Sequence, residues 1–271
     1  MTNKFFKLAL LMTLVGVSLC CQLTVSAKTK VRVATDSDTA PFTYKDKNRF
    51  TGYDIDVLRA VFQNSKDYQL TFETVPFASI LTGLDAGRYQ IAANNFNYSA
   101  ERASKYLYSQ PISQSNYAIA SQKGYKQLAD LSGKKTSAYA GASYTQVLEN
   151  WNQANPAKEP IAINYVANSV PLAQRLQEVE SGKSDFIFFD AISLKTISQE
   201  QGIQVDIQPL TDQVGEDKDG LEYFLFAKGK EGKKLQAFVN KRLTSLEKDG
   251  TLKKLSEKYF GGDFVSLLSE K

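Results

Sequence analysis

Apolar positions along the chain follow two spacings. Val31-Arg32-Val33-Ala34 and Leu70-Thr71-Phe72-Glu73-Thr74 alternate with a period of two and predict strands. Between them, Ile55, Leu58 and Phe62 share one face of a helix that opens at Gly52-Tyr53-Asp54-Ile55-Asp56. Its first-turn acids, Asp54 and Asp56, suit the positive end of a helix dipole. Phe77, Ile80, Leu81 and Leu84 predict a second helix just after Pro76, stopped at Gly87, with a third strand over 89–93. The pattern then restarts. A strand is expected near 136–140, a helix after Gly141-Ala142 with Ser143 as its N-cap, and a strand over 161–166. A helix over 171–180 ends at Ser181-Gly182, followed by strands over 185–189 and 205–210. A strand over 221–227, a helix carrying Leu235, Phe238, Val239, Leu243 and Leu246, and a short helix from Gly250 to Gly261 close the series. Strands alternating with helices predict an α/β fold with mainly parallel sheet.

The restart carries an internal echo. Leu84-Asp85-Ala86-Gly87-Arg88 and Val179-Glu180-Ser181-Gly182-Lys183 both read as helix end, glycine cap and basic residue before a strand. Eight residues past each glycine stands a polar side chain, Asn95 and Asp190. Both are expected at the carboxyl end of a parallel strand, where open α/β sheets take their ligands. Two sheets with facing strand ends would enclose a cleft.

Composition narrows the chemistry. The chain has 271 residues, no histidine, and only two cysteines, the adjacent Cys20 and Cys21. That length suits one large or two modest domains. Without histidine, and without cysteine in the body, a Ser-His-Asp triad, a cysteine nucleophile, zinc held by His or Cys, and internal disulfides are excluded. No metal and no cofactor is expected. The formal charge is +4, with 33 lysines and arginines scattered along the chain, too weak a field to point to nucleic acid.

Residues 1–27 have the layout of a signal peptide. Lys4 and Lys7 precede a 12-residue apolar run, and Val25-Ser26-Ala27 puts small residues before the cut. The run is too short for a membrane span, which takes about 20 residues. Export is therefore expected, to the periplasm or the cell surface. A lipid anchor at Cys20 or Cys21 stays open as the alternative, although Leu19 is a poor residue before a lipidated cysteine.

One cluster points to a ligand. Asn94, Asn95 and Asn97 crowd the end of the third strand, Ser99 can cap a short helix, and Arg102 sits one turn in. A guanidinium beside backbone N–H groups matches a planar carboxylate. Asp190 across the cleft can hold an ammonium, so the pair suits an α-amino acid. A structural salt bridge is the competing reading of Arg102.

Ala40-Pro41-Phe42, Gly52-Tyr53-Asp54-Ile55-Asp56-Val57, Ser99-Ala100-Glu101-Arg102 and Tyr259-Phe260-Gly261 stand in an order that resembles the family 3 extracellular solute-binding proteins of ABC importers. The resemblance covers about residues 30–263. It implies a two-lobed periplasmic-binding-protein-like fold of type II with two hinge crossings. Lobe 1 would take residues 28–115 and 218–271, and lobe 2 residues 116–217. By the same resemblance, Arg102 clamps the ligand carboxylate, Asn97 stands where a Thr or Ser usually assists, and Ser143 faces it from lobe 2. Asp190 takes the amino group, helped by the carbonyl of Asn95, and Phe77 and Tyr139 form walls. Thr39 stands where relatives place an aromatic, leaving that wall to Tyr44 or Phe96. Asp36 could meet a basic ligand side chain, but a cap on the first strand's turn is favoured.

The resemblance implies a monomeric binder that passes a free amino acid, polar or neutral, to an ABC permease in the membrane. The stretch from Glu101 to Ser109 looks like cystine-binding members. The alternatives are a cleft enzyme of the dehydratase type, which needs a further acid of raised pKa beside the ligand, and a sensor or receptor module.

Overall fold

The computed structural model describes residues 27–47, 49–214 and 220–266. The expected signal peptide and both cysteines lie outside these residues, apart from Ala27 at the expected cut.

The first sheet is six-stranded. Strands β1 (Thr29–Thr35), β5 (Tyr68–Thr74) and β6 (Ile91–Asn97) pair in parallel, with β1 between the other two. Strand β14 (Leu221–Ala227) joins β6 antiparallel and also pairs with β7 (Tyr106–Tyr108) and β8 (Ser113–Gln114). A small sheet of β2 (Asp38–Thr39), β3 (Thr43–Asp46) and β4 (Arg49–Thr51) folds over the end of β1. The alternating pattern does not reveal that hairpin, because its strands are too short to show a period.

Helices cover both faces of this sheet. On one, α1 (Tyr53–Phe62) packs with α7 (Lys230–Lys248) and α8 (Thr251–Phe260) over Val31, Val33, Ile91, Phe224 and Phe226. On the other, α2 (Phe77–Asp85) lays Ile80 and Leu84 on Ala34, Ala92 and Leu225. Each large apolar side chain fully buried this way contributes about 1.5–3 kcal/mol. Gly52 is required at the start of α1: it holds φ 121°, and a Cβ there would fall 2.0 Å from the carbonyl oxygen of Phe42.

Asp54 and Asp56 both stand in the first turn of α1, as the helix-dipole reading expects, but Asp54 is not a surface acid. That side chain is fully buried and faces Glu222 of β14, also buried. Two carboxyls so close and dry cannot both ionise. Burial pushes both up, so the pair favours holding a proton between its two carboxyls. Ser113 Oγ donates to the other face of Glu222 at 2.5 Å. Asp56 does stay at the surface, in ion pairs with Arg59 and Lys258, each at 2.8 Å.

The second half departs from the expectation of a parallel sheet. Strands β10 (Lys135–Ala138) and β11 (Ala162–Tyr165) are parallel, but β9 (Tyr117–Ser121) lies antiparallel between β12 (Phe186–Asp190) and β13 (Asp206–Pro209). Helices α4 (Ser143–Ala154), α5 (Leu172–Glu180) and α6 (Ala191–Gln201) cover these strands. Helix α3 (Ala100–Lys105) lies between β6 and β7.

Candidate functional site

Both echoed glycines end their helices with left-handed φ, 68° at Gly87 and 76° at Gly182. The strands that follow deliver Asn95 and Asp190 to one cleft, although β12 finds its partner antiparallel. The cleft encloses about 490 Å³ of atom-free space, its open mouth included. All seven residues singled out in the sequence line it: Phe77, Asn95, Asn97, Arg102, Tyr139, Ser143 and Asp190.

Arg102 reaches it from α3. Ser99 caps that helix, its Oγ accepting from Arg102 N at 3.2 Å, as the sequence predicts. The guanidinium is buried and lies 5.2 Å from the centre of the Phe96 ring. It donates to the carbonyls of Asn97 at 3.3 Å and Gly141 at 3.0 Å. It has no carboxylate partner among the described residues, so the salt-bridge reading of Arg102 is set aside. Burial lowers its pKa from the usual arginine value.

Asp190 enters from the opposite wall. It is the N-cap of α6, with Oδ1 accepting from Ser193 N at 2.7 Å and Oδ2 accepting from the hydroxyl of Ser115. Burial raises its pKa to about 6, against the lowering effect of these bonds. Asn95 is left-handed, φ 49°, and its N–H donates to Asp54 Oδ2 at 3.0 Å. The buried acid pair therefore fixes the strand end that faces the cleft. The side-chain oxygen of Asn95 is buried without a partner.

Ser143 is not the N-cap expected of it. Ala142 holds that position and Ser143 is the first helical residue. Its hydroxyl instead donates across the cleft to Asn97 Oδ1 at 3.4 Å. Together with the bond from Arg102 to Gly141, it ties the two walls together. Phe96 lines the cleft, stacked on Phe77 at 5.8 Å, while Tyr44 is not among its lining residues. Asp36 caps the turn as favoured, accepting from Thr39 at 2.7 Å, Thr43 at 3.0 Å and Asn94 at 2.8 Å, and it also borders the cleft.

The sequence reading missed four contributors: Tyr117, Tyr144, Phe189 and Arg175. The first three line the main cleft. Arg175 borders its inner end. A signal for Arg175 existed, since it sits on the same helix face as Leu172, Leu176 and Val179, all buried.

Two α/β lobes facing one polar cleft, each with its own helix-covered strands, define a two-lobed solute-binding protein. The family of bacterial extracellular solute-binding proteins, family 3, matches residues 31–262, and the chain belongs to it. The putative amino-acid ABC transporter-binding protein PatH of Vibrio harveyi is 25% identical over 246 residues, 89% of this chain and 93% of PatH. The L-cystine-binding protein TcyA of Bacillus subtilis is 28% identical over 248 residues, 88% of this chain and 84% of TcyA. A solved structure from work on glutathione import via GshT and the cystine importer TcyBC of Streptococcus mutans is 37% identical. It superposes with a TM-score of 0.81 over 88% of this chain and 97% of its own.

Proposed function

We propose that the protein captures an amino acid between its lobes and delivers it to an ABC permease, acting outside the cytoplasmic membrane as an exported monomer. The observation that carries the reading is the pairing of Arg102, a buried cation with no carboxylate partner among the described residues, with Asp190 on the facing wall. An α-amino acid supplies what each lacks: its carboxylate replaces the carbonyl of Gly141 on Arg102, and its ammonium reaches Asp190 and the carbonyl of Asn95. Phe77, Phe96 and Tyr139 enclose the body of the ligand, and Asn97 and Ser143 close over it. Relatives named for L-cystine favour cystine or a close analogue as that amino acid.

Hinge crossings are expected near residues 115 and 218; strands 113–114 and 221–227 belonging to one sheet while 117–121 belongs to the other supports the first, and 218 lies outside the described residues. Closure would be driven by contacts that exist only when both walls meet the ligand. Asp36, Asp38 and Asp190 all have raised pKa values, a feature an enzyme of this fold would need. The hydrogen bonds of Asp36 to Thr39 and Thr43, and of Asp190 to Ser115 and Ser193, suit holding charge in place, and the binder is the reading preferred.

A thermal-shift screen of the amino acids, cystine included, tests it. A ligand at 100 times its Kd adds about 2.7 kcal/mol to stability. The expected hit also reduces the radius of gyration in small-angle scattering and is recovered unchanged in an NMR time course. A screen without hits would overturn the proposal, and turnover of the hit would replace it with the enzyme.

A further inference from the structure

The cleft continues past Tyr139 and Phe189 into a narrower space. Asp36 and Asp38 border it from the first-sheet side, Arg175 and Ser193 from the other. Arg175 is completely buried. Its guanidinium lies 4.8 Å from the centre of the Tyr139 ring, with Tyr144 and Phe189 each at 5.9 Å. Ser137 anchors it from below: Nε donates to Ser137 Oγ at 3.3 Å and Nη2 to the Ser137 carbonyl at 2.9 Å. Nη1 is left without a partner, the Tyr139 hydroxyl standing beside it outside hydrogen-bonding geometry. The Ser193 hydroxyl sits near Asp190, also without a well-formed bond. Among the described residues Arg175 forms no ion pair.

A fully buried guanidinium with a free donor is costly unless something anionic fills the space before it. Asp36 and Asp38 do not reach it. The arrangement repeats that of the outer end with its polarity reversed. There the cation, Arg102, belongs to the first-sheet side and the acid, Asp190, to the other. At the inner end the cation belongs to the second side and the acids to the first. A ligand with two like zwitterionic ends, related by a twofold, meets a cation and an acid at each.

We propose that Arg175, facing Asp36 and Asp38, forms a second subsite that takes the far carboxylate and amine of an elongated bis-α-amino acid. The proposal rests on the reading of the Arg102 end as an amino-acid site, and extends it to a ligand held at both ends.

Calorimetric titration with four probes tests it: L-cystine and L-cystathionine, which have two amino-acid ends; S-methyl-L-cysteine, which has one; and glutathione, which has two carboxylates but a single amine. The two-ended pair is expected to bind at least about thirty-fold tighter than S-methyl-L-cysteine, the lower end of the loss when one partner of a buried charge pair is removed. In Arg175→Gln that ratio should collapse towards one. If that variant does not fold, Asp38→Asn, which alters an exposed side chain, should lower the ratio several-fold. Equal affinity for one-ended and two-ended probes in the wild type overturns the subsite while leaving the Arg102 end standing. Tight glutathione binding with weak cystine and cystathionine overturns the second amine contact. Failure of every probe and of every other amino acid overturns the broader reading, and this one with it.

Discussion

Arg102 and Arg175 are both buried and both border the same cleft, but they are held in opposite ways. Arg102 spends its donors on carbonyls from both walls, Asn97 on its own side and Gly141 on the other. Its partners change when the walls move. Arg175 is bolted to its own lobe by Ser137 and roofed by three aromatic rings, leaving one donor to spare. Its partners on Ser137 stay with it when the walls move. A cation that trades carbonyls for a ligand can report closure, whereas a cation fixed within one lobe can only read what enters. The first should govern whether anything binds, and the second what binds.

The largest effect expected is at Arg102. Arg102→Ala should cost about 2–5 kcal/mol of binding, roughly thirty-fold to several-thousand-fold in Kd. Arg102→Lys should fail nearly as badly, because an ammonium lacks the planar fork. Calorimetry against a confirmed ligand measures both, and wild-type affinity in Arg102→Ala would remove the carboxylate clamp from this site.

Asp190 comes next. Asparagine keeps a side-chain oxygen to cap α6, so Asp190→Asn should melt close to the wild type while losing its charge-assisted bond to the ammonium. That bond is worth about 1.5–3 kcal/mol, or about ten-fold to a hundred-fold. The same group sets a pH dependence. With its pKa raised to about 6, Asp190 must shed a proton to meet an ammonium below that pH. Affinity should therefore fall as pH drops below about 6, and the Asp190→Asn variant should lose that part of the slope. Asp38, also raised to about 6, contributes the remainder at the inner end.

How far these sites could be read from sequence depends on whether local pattern or tertiary contact sets them. The α1, α2 and α7 helices follow from apolar spacing, α5 and α8 from the glycines that bound them, and Asn95 and Asp190 from a repeated glycine cap. Helix α6 escaped because its buried and exposed residues scarcely segregate: Ile192, Ser193, Leu194 and Ser198 are buried together. The β2–β4 hairpin escaped through brevity. Strand β9 escaped the sequence reading altogether, and its antiparallel placement is a matter of topology, not of composition. Arg175 was legible only as a charge on an apolar stripe, a sign usually discarded as noise. The Asp54–Glu222 pair was illegible, since its members are far apart in sequence and only the fold brings them together.

That pair gives a smaller, stability-only contrast with Asp190. Both carboxyls have folded pKa values raised above the ordinary range, so folding binds protons. Their favourable contribution is complete below about pH 4.5 and is lost as pH rises through the raised values. Glu222→Gln keeps a donor toward Asp54 but cannot ionise. Its melting temperature should gain on the wild type between pH 5 and pH 8, and a constant difference across that range would show that the pair holds no proton.

The smallest effect expected is at Ser143, and it sharpens the division between clamp and latch. Ser143 caps nothing, so replacing it with alanine removes no helix end and introduces a better helix former. What is lost is one hydroxyl that spans the cleft to Asn97 at 3.4 Å, near the outer limit of a hydrogen bond. A neutral bond of good geometry is worth about 0.5–1.5 kcal/mol net, and this one should lie at the lower end. Ser143→Ala should therefore weaken ligand binding by only about two- to three-fold, with an unchanged melting temperature for the free protein. The loss should appear in the dissociation rate, because a latch acts after the walls have met. A double-mutant cycle with Arg102→Lys separates the alternatives. Near-additive effects would keep Ser143 as a latch between walls. A coupling above about 1 kcal/mol would instead place its hydroxyl on the ligand carboxylate beside Arg102.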